Sequence, residues 1–262
     1  MTILDQLAVH ARERVAADQA ENSLDVLQEQ CRALGRGRGE RFQAALAKPE
    51  LSFICEVKKA SPSKGVIAKE FPYLEIARDY ERAGADAISC LTEPKWFLGS
   101  DQIFREIRGA VDTPMLRKDF TVDPYQLYQA RLMGADCVLL ICALLDTKTL
   151  ERYLSICEDL GLSALVEAHD EGEIASAVSA GAEIIGVNNR NLKDFSVNLD
   201  NAARLRDQIP SGVLYVAESG VHRPEDISAV RSMGADGVLI GEALMRSQDK
   251  GAMLAAFREA VR

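Results

Sequence analysis

A (β/α)8 TIM barrel carrying an N-terminal helical extension is the fold this sequence predicts, and three observations predict it. From residue 51 onward, strand-like and helix-like stretches alternate eight times. That alternation points to a parallel sheet with right-handed crossovers. One junction also recurs four times: Ala83-Gly84-Ala85-Asp86, Met133-Gly134-Ala135-Asp136, Ala180-Gly181-Ala182-Glu183 and Met233-Gly234-Ala235-Asp236. Each copy reads as a helix ending at a C′ glycine and leading at once into a strand. The glycines are 50, 47 and 53 residues apart, and such near-equal quarters suit closure into a ring. Finally, no G-x-G-x-x-G turn follows the first strand, which disfavours the alternative, an open doubly wound sheet.

The elements follow in order. In residues 2–48, Ile3, Leu4, Leu7, Ala8, Ala11 and Val15 recur at three- and four-residue steps with charge between them, a helical pattern. A second helical run, Ser23 to Leu34, ends in Gly35-Arg36-Gly37-Arg38-Gly39, a loop and the best candidate boundary. This segment has no strand and little core of its own. Residues 1–48 are therefore expected to pack as an extension on a barrel formed by residues 49–262. Arg36 and Arg38 read as a solvated loop, with an approach to the barrel mouth left open.

Predicted strands cover 51–57, 86–91, 114–118, 136–142, 163–167, 183–188, 213–218 and 236–240. Predicted helices cover 74–83, 101–109, 124–133, 147–160, 171–180, 199–208, 224–233 and 242–260. On the first strand, alternation sets Ile54, Glu56 and Lys58 on one face and Phe53, Cys55 and Val57 on the other. Ser61-Pro62-Ser63-Lys64-Gly65 then stops it with loop chemistry. Two charges on one face of a buried strand need partners or a ligand.

Composition narrows the function. The 262-residue chain is 47% hydrophobic, enough for one large core, and its net charge of −9 with a pI near 5.0 argues against nucleic-acid binding. The six cysteines form no C-x-x-C pair and several lie in apolar runs, so they read as buried thiols in a reducing cytoplasm. Three scattered histidines suggest no metal cluster. The start lacks a signal-peptide apolar region, and no apolar run approaches a membrane span. The expected partner is a small molecule, with a monomer admissible.

In a (β/α)8 barrel, catalysis sits at the C-terminal strand ends. Here those ends are Glu56-Val57-Lys58, Arg117-Lys118-Asp119, Val166-Glu167, Val187-Asn188-Asn189-Arg190 and Ala217-Glu218-Ser219-Gly220. The last inward positions are thus Lys58, Lys118, Glu167, Asn188 and Glu218, over apolar layers. Lysines and glutamates interleaved in a closed mouth tune one another and supply general acids and bases without a metal. Ser219-Gly220 after strand seven and Gly241-Glu242 after strand eight match the usual barrel phosphate site. Glu242 would meet an anion through its backbone amide, while Lys58 and Lys64 add cations. Trp96, Phe97 and Phe120 either anchor loops or wall a flat ring. His169 and His222 read as local caps.

The motifs EVKKASPSKG, TEPKWFLGS, PMLRKDF, LVEAH, IGVNNRNL, VAESG and IGEALM, in that order, closely resemble the indole-3-glycerol phosphate synthase family of tryptophan biosynthesis. The likeness runs from the first helix to the last. It implies a (β/α)8 barrel with an extra N-terminal segment, acting without cofactor or metal. It also implies a substrate that carries a phosphate and an aromatic carboxylate. By motif, Lys118 would be the general acid at the substrate ketone, and Glu167 the base or relay in the later dehydration. Lys58 would steer the carboxylate or share the acid role, with Glu56 tuning the lysines. Asn188 and Glu218, with Ser219, would hold hydroxyls and the cation-like intermediate. Arg190, Ser61 and the amides near Gly220, Gly241 and Glu242 would bind anionic groups. Phe97, Phe120 and Leu239 would line the aromatic pocket. Cys55 stands where the family often has a small residue, and Glu242 where it often has serine. A Schiff-base aldolase using Lys118 or Lys58, and a phosphate-ligand binder without catalysis, are the rival readings.

Overall fold

The computed structural model describes residues 2–190, 195–198 and 200–261. Asn191 and Leu192 of the IGVNNRNL motif, and Leu199 at the head of the predicted 199–208 helix, lie outside the described residues. Eight strands form the barrel: β1 (Ser52–Val57), β2 (Ala87–Leu91), β3 (Met115–Lys118), β4 (Cys137–Ile141), β5 (Ser163–Ala168), β6 (Ile184–Asn188), β7 (Leu214–Glu218) and β8 (Gly237–Ile240). Each pairs in parallel with the next, and β8 closes on β1 in the register Ser52↔Gly237 to Cys55↔Ile240.

Alternation sorts the side chains as the sequence predicts. Phe53, Cys55 and Val57 face the surrounding helices in one buried cluster. Ile54 faces inward in another, with Leu116, Leu139, Leu165, Ile184, Val216 and Leu239.

The recurring junction has a physical use at the N-terminal end of the barrel. Its four glycines all take left-handed φ values, from 74° to 86°. The acid that follows reaches back to the preceding strand: Asp86 accepts from the Phe53 N–H (2.9 Å), Asp136 from Met115 (2.8 Å) and Asp236 from Tyr215 (2.7 Å). Glu183, one methylene longer, accepts instead from Gln43 (3.2 Å). The three aspartates satisfy strand N–H groups that the ladder leaves free.

Three helices precede β1: Ile3–Glu21, Leu24–Leu34 and Gly39–Leu46. The third plugs the N-terminal end of the barrel, where its Phe42 and Leu46, one turn apart, join the inward-facing cluster. The Gly/Arg loop before it is a docked strap. Gly37 and Gly39 donate to the carbonyls of Leu160 and Gly161 (2.8 Å each), too close to that backbone for a Cβ. Arg38 lies at this same end, 3.6 Å from Asp112 and 4.0 Å from Asp136. It therefore does not approach the mouth, which is at the other end.

The first helix does reach the mouth. A Thr2–Asp5 capping box starts it, and Leu7, Ala8, Ala11 and Val15 are buried, as their spacing predicts. His10 Nδ1 sits 3.0 Å from the buried Glu93 carboxylate, which also accepts from the backbone N–H groups of Lys95, Trp96 and Phe97. Arg14 grips the buried Asp119 with two bonds of 3.1 and 2.7 Å. Such charge-assisted bidentate pairs are strong and geometrically specific. Arg14→Ala is expected to lower the melting temperature and speed amide exchange along Ile3–Glu21, checked by calorimetry and hydrogen exchange. Unchanged exchange in that helix would count against the clamp.

Two local expectations need correction. The predicted helix 242–260 is two helices, Glu242–Arg246 and Lys250–Glu259, because Asp249 caps a fresh start by accepting from the Ala252 N–H (2.8 Å). The loop after β1 contains a two-residue hairpin, Ala60–Ser61 against Gly65–Val66, turned by Gly65 at φ +63°. Among the described residues, no helix is long and apolar enough to cross a membrane.

Candidate active site

Inward alternation carries Glu56, Lys118, Glu167, Asn188 and Glu218 to the C-terminal ends of β1, β3, β5, β6 and β7, and they line a single cavity. Lys58 and Ser219, just past β1 and β7, line it too. So do the predicted binding residues Ser61, Phe97, Phe120, Arg190, Gly220, Leu239, Gly241 and Glu242. The structure thus brings every predicted site residue together.

Lys118 organises the floor. Its Nζ lies 3.0 Å from Glu167 Oε2 and 3.2 Å from Glu218 Oε2. Lys58 pairs with Glu56 beside it, and Ser89 Oγ donates to the other Glu56 oxygen (3.4 Å). The three glutamates are only 2–3% exposed, so each must either meet a cation or hold a proton. Two inward positions are glycine for this reason. A Cβ at Gly186 would collide with the Glu218 carboxylate, and one at Gly241 with Glu56 and Lys58.

Burial opposes charge on Lys118, but Glu167, Glu218 and Glu56 outweigh it and push its pKa up, so it stays an ammonium. Burial also opposes charge on Glu167. There Lys118, His169 and a hydrogen bond from Asn188 prevail and pull its pKa down to about 2. For Glu218, burial and the nearby Glu167 charge outweigh Lys118, and its pKa rises to about 7. The two carboxylates titrate as one system around a shared cation.

This has a measurable sign. A carboxyl with a folded-state pKa near 7 binds its proton more tightly folded than unfolded, where 4.5 is ordinary. Its stabilisation is full below that ordinary value and lost as pH rises through about 7. Glutamine mimics the neutral acid. Glu218→Gln is therefore expected to melt several degrees above the parent at pH 8, with the gap shrinking toward pH 5. A gap that grew on acidification would reverse the assignment.

Around this floor the walls differ in character. The Phe97 and Phe120 rings lie 5.9 Å apart at 41°, with Leu239 below them among the inward residues. Trp96 turns away from the cavity to stack edge-on with His10 (5.5 Å), so it anchors its loop. Ser219 and Gly220 are consecutive left-handed residues (φ 66° and 96°), a sharp turn held by a bond from Asn189 Nδ2 to the Ser219 carbonyl (3.2 Å). The Glu242 carboxylate accepts from Arg246 Nε (3.0 Å) and lies 3.7 Å from Lys64 Nζ. Lys64 is thus occupied at the rim, while Lys58 and Arg190 bring positive charge to the lining.

Sequence reasoning missed several lining residues. Ile3, Leu4 and Leu7 of the first helix cap the cavity, and Asp119 joins its wall. An apolar stripe says that a helix packs, not where. His169 was legible, because Leu165, Glu167 and His169 share one face. Its Nε2 lies 3.4 Å from Glu167 Oε1, while its Nδ1 meets Glu173 at 3.0 Å, so the local cap is only half of its role. His222 lines the cavity as well. Among the described residues, no group of His, Cys, Asp and Glu is placed to hold a metal ion.

Fold and site together define a (β/α)8-barrel enzyme of the acid–base type, its charged groups gathered at the C-terminal mouth. The sequence matches the indole-3-glycerol phosphate synthase family over residues 4–257. It is 56% identical to indole-3-glycerol phosphate synthase of Ruminiclostridium cellulolyticum across 98% of both chains. It is 46% identical to that of Leuconostoc mesenteroides subsp. mesenteroides, again across 98% of both. The chain belongs to the indole-3-glycerol phosphate synthase family. In fold alone it is also similar to thiamine phosphate pyrophosphorylase from Pyrococcus furiosus (TM-score 0.62, 19% identity, 80% of this chain and 95% of that one). The same holds for tryptophan synthase subunit alpha from Legionella pneumophila (TM-score 0.61, 16% identity, 84% and 97%).

Proposed function

We propose that this chain converts 1-(2-carboxyphenylamino)-1-deoxyribulose 5-phosphate to indole-3-glycerol phosphate, releasing carbon dioxide and water, as a step of tryptophan biosynthesis. One observation carries the mechanism: Lys118 is a half-buried ammonium between two buried carboxylates, facing a cavity with an aromatic wall. Attack of the aromatic ring carbon on the ketone needs a proton at the ketone oxygen, and Lys118 supplies it. Lys58, tethered by Glu56, attracts the carboxylate that leaves as carbon dioxide. Glu167 then serves as the base or relay in dehydration. Asn188, Glu218 and Ser219 hold the hydroxyls and the cation-like intermediate. Phe97, Phe120 and Leu239 line the pocket for the aromatic ring. Ser61, Arg190 and the turns at Gly220, Gly241 and Glu242 take the anionic ends.

The ion pairs also speak against a Schiff-base route. An amine nucleophile must be neutral, and two glutamates hold Lys118 charged. All six cysteines are free thiols, which supports a reducing, cytoplasmic setting. The test is direct: mixed with the carboxyphenylamino-deoxyribulose phosphate, the protein should generate indole fluorescence, and borohydride should trap no lysine adduct. Silence in the first assay, or an adduct in the second, would refute the reading.

A further inference from the structure

We propose that His169 is a positioning residue that returns a solvent proton to the Lys118–Glu167 pair in each turnover, an inference that rests on the reaction just assigned. The stoichiometry demands such a proton. The ketone oxygen leaves as water and so takes two protons, one at ring closure and one at departure. The methylene carbon beside the ring nitrogen gives one back as the indole double bond forms. The carboxylate leaves as carbon dioxide, and its electron pair remains in the ring system and neutralises the iminium. Each turnover therefore removes one proton from water and must pass it to a buried acid.

His169 lies on a path between these places. It follows β5, on the same inward face as Glu167. Its Nδ1 is tied to the Glu173 carboxylate (3.0 Å), which also accepts from the His169 N–H (2.8 Å) and fixes the ring at the head of the helix Glu171–Ser179. That leaves Nε2 facing Glu167 Oε1 at 3.4 Å, buried, with no hydrogen-bond partner of its own. Glu167 Oε2 in turn meets Lys118. Carboxylate, imidazole, carboxylate and ammonium thus stand in series, hydrogen-bonded at both ends and separated by one 3.4 Å approach in the middle. Its outer end lines a second, adjoining cavity with Asp170, Asn188 and Arg190.

The charges around the ring favour this use. Glu167 and Glu218 face it from the strands and Glu173 from the following helix. Together with the Glu173 hydrogen bond they outweigh burial and raise its pKa above the ordinary 6.5. Asp170, the N-cap of that helix, and Arg190 from the loop after β6 complete its charged surroundings in the second cavity. With Nδ1–H donated to Glu173, the imidazolium presents Nε2–H to Glu167, whereas the neutral ring would present a lone pair to a carboxylate. When Lys118 gives up its proton, Glu167 loses the cation that keeps it acidic. It then accepts the Nε2 proton and passes it on; the neutral ring turns Nε2 into the second cavity, takes a proton from water there and turns back.

The test compares His169→Gln and His169→Ala with the parent protein, using indole fluorescence. Glutamine keeps a donor toward Glu167 but cannot pass a proton through. Both variants are expected to lose about tenfold or more in kcat with KM within about twofold. The fall of the parent's kcat as pH rises through the raised histidine pKa should vanish in both. Imidazole added to His169→Ala should restore part of kcat in proportion to its protonated fraction. Parent-like kcat in His169→Gln, or no response of His169→Ala to imidazole, would overturn the relay. An inactive parent would instead overturn the reaction assignment, so the two failures are distinct.

Discussion

Lys118→Ala is expected to cut kcat by about 10²–10⁴-fold, the range of a lost general acid, while the barrel stays folded. The reason lies in what the side chain does before any substrate arrives. It is the cation shared by Glu167 and Glu218, at 3.0 and 3.2 Å. Without it, two buried carboxylates face each other unscreened, and one must take up a proton to remain buried. Glu218, already near a pKa of about 7 through burial and the Glu167 charge, is the group that takes it, while His169 and Asn188 still hold Glu167 down. The variant should therefore exchange an ammonium for a fully neutral Glu218, which limits the loss of stability and leaves no proton donor where Lys118 met the ketone oxygen. Fluorescence turnover and circular-dichroism melting together check this. A folded variant that kept parental kcat would remove Lys118 from the chemistry.

Much of this site was legible because a strand's period of two is strict. Once Glu56, Lys118, Glu167, Asn188 and Glu218 fall on the inward face at C-terminal strand ends, ring closure leaves them nowhere to go but one mouth. The four glycine junctions were legible for a similar reason, since a left-handed helix end leaves a local signature. What stayed hidden depends on contacts distant in sequence. Nothing local tells that Arg14 will meet Asp119, or that Ile3, Leu4 and Leu7 will roof the cavity rather than lie on its flank. The Gly/Arg segment was legible as a loop, but not as a docked strap. Its glycines look like a flexible linker, yet they are small so that the strap can lie against the backbone of Gly161 and Leu162. His169 was in plain view by alternation and was passed over because a histidine near a helix start usually only caps it.

Glu167→Gln should separate the two carboxylates that flank Lys118, and it is the sharper of the two large effects. The amide keeps the shape and an acceptor for Lys118, but it cannot carry a proton. Turnover should therefore fall by about 10²–10⁴-fold while KM stays near the parental value. The neighbouring group gives a second readout. Glu218 sits near a pKa of about 7 through burial and the negative charge of Glu167. Removing that charge while keeping Lys118 should drop Glu218 toward the ordinary carboxylate range, so its titration moves to lower pH. Stability moves opposite to the Glu218→Gln case. A carboxylate held at about 2 stabilises the fold above its ordinary value of 4.5 and loses that contribution only as pH falls through about 2. Glu167→Gln should consequently melt below the parent at pH 7, whereas Glu218→Gln melts above it at pH 8. Two isosteric changes on either side of one lysine, with opposite signs in stability, would establish that the carboxylates hold different protonation states. Equal signs would mean that they share their charge evenly and that neither is reserved as the base.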